Sequence, residues 1–85
     1  MRIISQDKET DIPYEQSALI IETANEGIFY INAYMGDRYF WLGTYHSLVD
    51  AKAVLWAVIA NKKVGKDFYE LPQADEDLEY AYRVM

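Results

Sequence analysis

The sequence predicts an α+β fold: a small antiparallel sheet of three to five strands with one long helix packed on one face. Three observations carry that prediction. Aromatic-rich runs on either side of Gly36-Asp37, from Ile28 to Met35 and on to Tyr45, read as two strands joined by a tight turn. Ala18 to Thr23 supplies a third strand, linked through Asn25-Glu26-Gly27. A capped apolar stretch between Ser47 and Gly65 then has helical spacing. One domain results, with a hairpin over 1–16, a β-meander over 18–45, a helix over 47–64 and a C-terminal segment over 67–85.

In chain order, Ile3 and Ile4 are β-prone, and Ile12-Pro13-Tyr14 is a short partner reached through the turn Asp7-Lys8-Glu9-Thr10. Pro13 has no amide to donate, which places that partner at an edge or bend. In the meander, a loop with Gly27 in the left-handed position opposes Thr23 to Phe29, Ile21 to Ile31 and Leu19 to Ala33. A slip of one residue would push Glu22 into the core and expose Leu19 and Ile21, so this register is favoured. Gly36-Asp37 in turn opposes Tyr34 to Tyr39, Ala33 to Phe40, Asn32 to Trp41 and Ile31 to Leu42, with Gly43 opposite Tyr30.

The inner face then holds Leu19, Ile21, Phe29, Ile31, Ala33, Phe40 and Leu42. Ile20, Tyr30, Tyr34, Tyr39, Trp41 and Tyr45 fall on the outer one. Ser47 is the helix N-cap with Asp50 three residues on, Lys62 and Lys63 fill the last turn, and Gly65 ends it. Leu48, Ala51, Val54, Leu55, Val58 and Ile59 form the expected docking stripe. Val49, Ala53, Trp56 and Ala60 flank it, and Asp50 and Asn61 mark the polar side. Beyond the helix, Phe68 to Leu71 is extended or an edge strand stopped by Pro72. Asp75 to Met85 is either a short docked helix or a frayed tail.

Composition narrows the function classes. With 52 % hydrophobic and 15 % aromatic residues the chain can form a packed core. Cysteine is absent, which excludes disulfides and thiolate chemistry and suits a reducing cytoplasm. The polar start suggests no signal peptide, and the longest apolar run, Ala53 to Ala60, is far short of the ~20 residues of a membrane-spanning helix. A cytoplasmic protein without a membrane partner is expected. The net charge of −6 opposes contact with phosphate backbones.

Residues that could carry chemistry have plainer readings. His46 stands alone beside the helix cap, and Asp75, Glu76, Asp77 and Glu79 lack the spacing of a calcium loop. Ser5, Ser17 and Ser47 show no His-and-acid company, and no glycine-rich phosphate loop exists. Neither an enzyme, a cofactor nor a metal is expected.

Trp41-Leu42-Gly43-Thr44-Tyr45 followed by Ala51, Ala53 and Ala57 on a helix resembles the third strand and helix of plant ethylene-response-factor DNA-binding domains. Phage integrase arm-binding domains share that topology. The likeness covers about a quarter of the chain and implies a three-stranded sheet followed by a helix. Those domains read DNA with arginine- and tryptophan-rich strands, whereas this hairpin has Arg38 as its single cation. A second resemblance covers most of the chain. Met1-Arg2-Ile3-Ile4-Ser5-Gln6-Asp7, Asp11-Ile12-Pro13-Tyr14-Glu15, the Leu42-Gly43-Thr44-Tyr45 strand and the alanine-rich helix are similar to uncharacterised small proteins of Gram-positive bacteria. These are often prophage-associated. They usually carry glycine where this chain has Lys8, and the resemblance implies a phage-associated or accessory protein.

The expected function is a protein-interaction or self-associating module, its partner a second copy or another protein. Tyr30, Tyr34, Tyr39, Trp41 and Tyr45 on the sheet, with Trp56 on the helix, are the candidate interface, because contiguous exposed rings usually have something to cover them. The alternatives are a nucleic-acid binder that stacks unpaired bases on Tyr30, Tyr34, Tyr39 and Trp41, or an acidic DNA mimic.

Overall fold

The structure is a computed structural model that describes residues 1–74. The suggested short helix over Asp75 to Met85 and its acidic run lie outside the described residues. The fold is α+β, with six strands in two three-stranded sheets and one long helix among the described residues.

In the first sheet, β1 (Arg2–Ile4) lies between β2 (Asp11–Pro13), antiparallel, and β6 (Phe68–Glu70), parallel. Pro13 ends β2 at the sheet edge, and a 3-10 turn over Tyr14–Gln16 leads on. The turn after β1 is tied by Asp7, whose carboxylate accepts from Ser5 Oγ at 2.5 Å and from the Glu9 amide at 3.0 Å. Within that turn Lys8 adopts φ 62°, the left-handed region that favours glycine.

The second sheet has the order β3 (Ala18–Asn25), β4 (Ile28–Met35), β5 (Arg38–Tyr45), all antiparallel. Leu19, Ile21 and Thr23 pair with Ala33, Ile31 and Phe29, the register expected from the burial argument. The loop is one residue shorter than expected: Asn25 pairs with Ile28, and the extra residue sits at Ala24. Between β4 and β5 the pairs Tyr34–Tyr39, Ala33–Phe40 and Asn32–Trp41 are also as expected.

Beyond them the register shifts. A bulge at Leu42 sets Ile31 against Gly43, Tyr30 against Thr44 and Phe29 against Tyr45. Leu42 and Tyr45 both become fully buried, so Tyr45 belongs to the core and not to the outer face. A contact from distant chain bridges the bulge. Gln6 donates its backbone N–H to Leu42 O at 2.8 Å, and its side chain accepts from the Thr44 amide and donates to Thr44 O. β5 is an edge strand, and these are backbone groups on its free side. Close approach there favours glycine, since a Cβ on Gly43 would lie 3.0 Å from Leu71 Cδ2 and 3.1 Å from Gln6 Cδ, and those side chains would have to give way by a few tenths of an ångström.

Helix α1 (Leu48–Lys63) begins and ends as its sequence predicts. Ser47 Oγ accepts from the Asp50 amide at 3.1 Å. At the other end, Gly65 at φ 79° lets its own amide reach Lys62 O and the Lys66 amide reach Asn61 O. The docking face differs from the expected stripe. Ala51, Val54 and Val58 are buried as expected, but Ala53, Ala57 and Asn61 are buried with them. Leu48 is exposed, and Leu55 and Ile59 are half-buried. A helix packed on a single sheet needs one stripe. Here the core also takes Ile3 and Ile12 from the first sheet, Tyr69 from β6 and Leu71 after it, in one buried cluster with Ala51, Ala53 and Ala57. Asn61 escapes an unpaired amide by donating Nδ2 to Ala57 O at 2.7 Å.

Candidate functional site: the outer face of the second sheet

With α1 on one face of β3–β4–β5, alternation sends Tyr30, Asn32 and Tyr34 of β4, Tyr39 and Trp41 of β5 and Glu22 of β3 to the other. Together they line a shallow depression of about 450 Å³. All of its lining residues come from β3, β4 and β5, so no described part of the termini covers it. Tyr39 is 63 % exposed at the rim, and Ile20 on β3 is 44 % exposed on the same face.

The face is organised by hydrogen bonds as well as rings. Glu22 Oε1 accepts from Asn32 Nδ2 at 2.8 Å and from the Tyr34 hydroxyl at 2.6 Å. These bonds hold the Glu22 carboxyl below its usual range, Asn32 contributing more than Tyr34, and the same carboxylate raises the Tyr34 phenol. Tyr34 and Tyr39 are neighbours across the strands, their ring centroids 5.6 Å apart and tilted by 31°. Trp41 Nε1 donates to Thr44 Oγ1 at 2.9 Å, which fixes the indole near the bulge.

Asn32 is 5 % exposed, and its Oδ1 is enclosed without a partner among the described residues. Its orientation is set chemically. A carboxylate only accepts, so the nitrogen must face Glu22 and the oxygen is the atom left unpaired. Leaving such a group unsatisfied costs about 1–3 kcal/mol.

Four of the rings expected on this face are therefore there: Tyr30, Tyr34, Tyr39 and Trp41. Tyr45 is not. Its ring is buried, its hydroxyl donates to Pro72 O at 2.8 Å, and burial pushes its phenol up. Trp56 is 51 % exposed on α1, which packs on the other side of the sheet, so it forms no single surface with the rings. Val49, 62 % exposed, lies two helical turns before it. Sequence reasoning places Glu22 and Asn32 on this face but gives neither a role. The available signal was a polar Asn between Tyr30 and Tyr34 and directly across from Trp41.

The cations lie elsewhere. Arg38 sits over the Phe40 ring at 5.2 Å, on the opposite face from Tyr39 and Trp41. Lys62 pairs with Glu15 at 2.6 Å near the helix end, where Lys63 and Lys66 are exposed. His46 is exposed next to the helix cap, and among the described residues no three His, Asp or Glu side chains form a metal-binding group. No helix of the described residues is long and apolar enough to cross a membrane. Compared with protein-family models, curated proteins and solved structures, the chain matches none of them.

Proposed function

We propose that this chain is a cytoplasmic protein-interaction module, not an enzyme, and that it engages its partner through the outer face of β3–β5. One observation carries the reading: four large rings and an ordered carboxylate share a sheet face that no described residue from the rest of the chain covers. Aromatic residues are enriched in interface cores because they bring large contact area with few rotors to freeze. The partner is a second copy or another protein. The resemblance of the N-terminal segments supports an accessory, phage-associated setting.

Stacking of unpaired nucleic-acid bases on the same rings is the weaker reading. Such sites work beside a positive groove, whereas this face centres on Glu22 and its nearest strand cation, Arg38, is on the reverse side.

The test compares wild type with the double variant Tyr39→Ser/Trp41→Ala by sedimentation equilibrium and by affinity capture, with thermal melting as the fold control. The reading predicts that self-association or a captured partner is lost while the melting midpoint stays close to wild type. A variant that unfolds with unchanged association, or a wild type that neither self-associates nor captures anything the variant fails to capture, refutes it.

A further inference from the structure

This inference rests on the interaction reading and names the chemistry of the partner. The geometry points to an arginine side chain, presented by a protein partner, as the group that the outer face of β3–β5 recognises at Glu22 and Asn32.

Three independent features converge on a guanidinium. First, the rings of Tyr30, Tyr34, Tyr39 and Trp41 surround the depression, and aromatic faces attract cations, arginine most often. Second, Glu22 is fixed in the depression. Both of its donors are on Oε1, so Oε2 keeps its accepting capacity among the described residues. Its lowered pKa keeps it charged at neutral pH. Third, Asn32 Oδ1 is a second acceptor beside it, enclosed and unpaired. A planar group with five donors suits two neighbouring acceptors under aromatic walls better than a compact, strongly hydrated ammonium does. Because Oδ1 is enclosed, a donor reaches it only after a side-chain rotamer change of the kind common at interfaces.

Charge chooses between occupants. The face holds Glu22 and no cation of its own among the described residues, which favours a positively charged occupant. The net charge of −6 draws basic partners at long range. It also opposes a second copy, which would bring another Glu22 and the same net negative charge to the contact.

The experiment titrates the ¹⁵N-labelled full chain with the peptide acetyl-Gly-Arg-Gly-Arg-Gly-amide, and with counterparts in which citrulline or lysine replaces both arginines. Citrulline keeps the shape and loses the charge. The expected result is saturable shifts at Glu22, Tyr30, Asn32, Tyr34 and Trp41 with the arginine peptide, and binding at least about tenfold weaker with citrulline. Lysine falls between them. Glu22→Gln should weaken the arginine peptide by a similar factor, and the citrulline comparison on unmutated protein decides the matter if that variant folds poorly. Equal binding of arginine and citrulline peptides, shifts centred elsewhere, or no shifts at millimolar peptide overturns the proposal. A wild-type dimer that Tyr39→Ser dissociates would also overturn it while leaving the interaction reading intact.

Discussion

Replacing Gln6 with alanine should cost about 3 kcal/mol, a large share of the ~5–15 kcal/mol that holds a domain together. Gln6 joins three parts of the chain that are far apart in sequence. Its Nε2 donates to Thr44 O at 3.1 Å and to Pro72 O at 2.9 Å, and its Oε1 accepts from the Thr44 amide at 2.8 Å. Each such bond contributes about 0.5–1.5 kcal/mol net, so three give about 1.5–4.5 kcal/mol. Two considerations select the middle of that range. Pro72 O keeps a donor in the Tyr45 hydroxyl. The Thr44 amide, by contrast, loses its partner at a bulge that Gln6, 7 % exposed, covers. For a chain of this size about 3 kcal/mol corresponds to a fall of roughly 12–24 °C in melting midpoint. Circular dichroism melts of wild type, Gln6→Ala and Gln6→Met provide the assay, since methionine restores most of the volume without the bonds. If Gln6→Met melts within a few degrees of wild type, the polar bridge does not hold the bulge and the explanation for the buried Tyr45 falls with it.

Three further outcomes are expected. Lys8→Gly should raise the melting midpoint, because a left-handed lysine costs roughly 1–2 kcal/mol and its exposed ion pair with Glu70 at 3.4 Å offsets little; an unchanged or lower midpoint would count against the strained turn. Glu15 accepts from Lys62 and the N-terminal amine, and these partners lower its carboxyl from 4.5 to about 2. A depressed folded pKa adds stability above the unfolded value that is lost as pH falls from about 4.5 through about 2, so Glu15→Gln should flatten the acid limb of a stability-versus-pH curve in that window, modestly because the group is exposed. Fluorescence anisotropy should find no binding of random duplex DNA tighter than about 10⁻⁴ M at physiological salt; micromolar, strongly salt-dependent binding would favour the integrase-like reading.

Much of the fold could be read locally. Gly27 and the need to keep Glu22 out of the core set the β3–β4 register, Ser47 announced α1, Gly65 ended it, and Pro72 stopped the last strand. What could not be read depends on contacts between distant segments. The parallel pairing of β1 with β6 carries no periodic signal in strands three residues long. The Leu42 bulge is bridged by Gln6, which bonds Thr44 from 38 positions away, and the bulge turns Tyr45 inward, whereas an uninterrupted ladder would leave that ring outside. The helix face was misjudged for a similar reason. Leu48, Leu55 and Ile59 outweigh alanines on a hydropathy count, yet the helix buries Ala51, Ala53 and Ala57 in a cluster shared with residues of the first sheet. At the candidate site, alternation alone located four of the rings. The Glu22–Asn32–Tyr34 bonds and the unpaired Asn32 oxygen needed the side chains in place.

The central claim is that the outer face of β3–β5 is an open surface built to be covered by a partner. Hydroxyl-radical footprinting of the full chain at low concentration, read residue by residue by mass spectrometry, tests it most directly. The account predicts rapid oxidation of Tyr39, clear oxidation of Tyr30, Tyr34 and Trp41, and strong protection of Tyr45, whose ring is buried. Protection of the four outer rings equal to that of Tyr45 in the dilute, monomeric chain would mean that the protein covers this face itself, and the interface would have to be sought elsewhere.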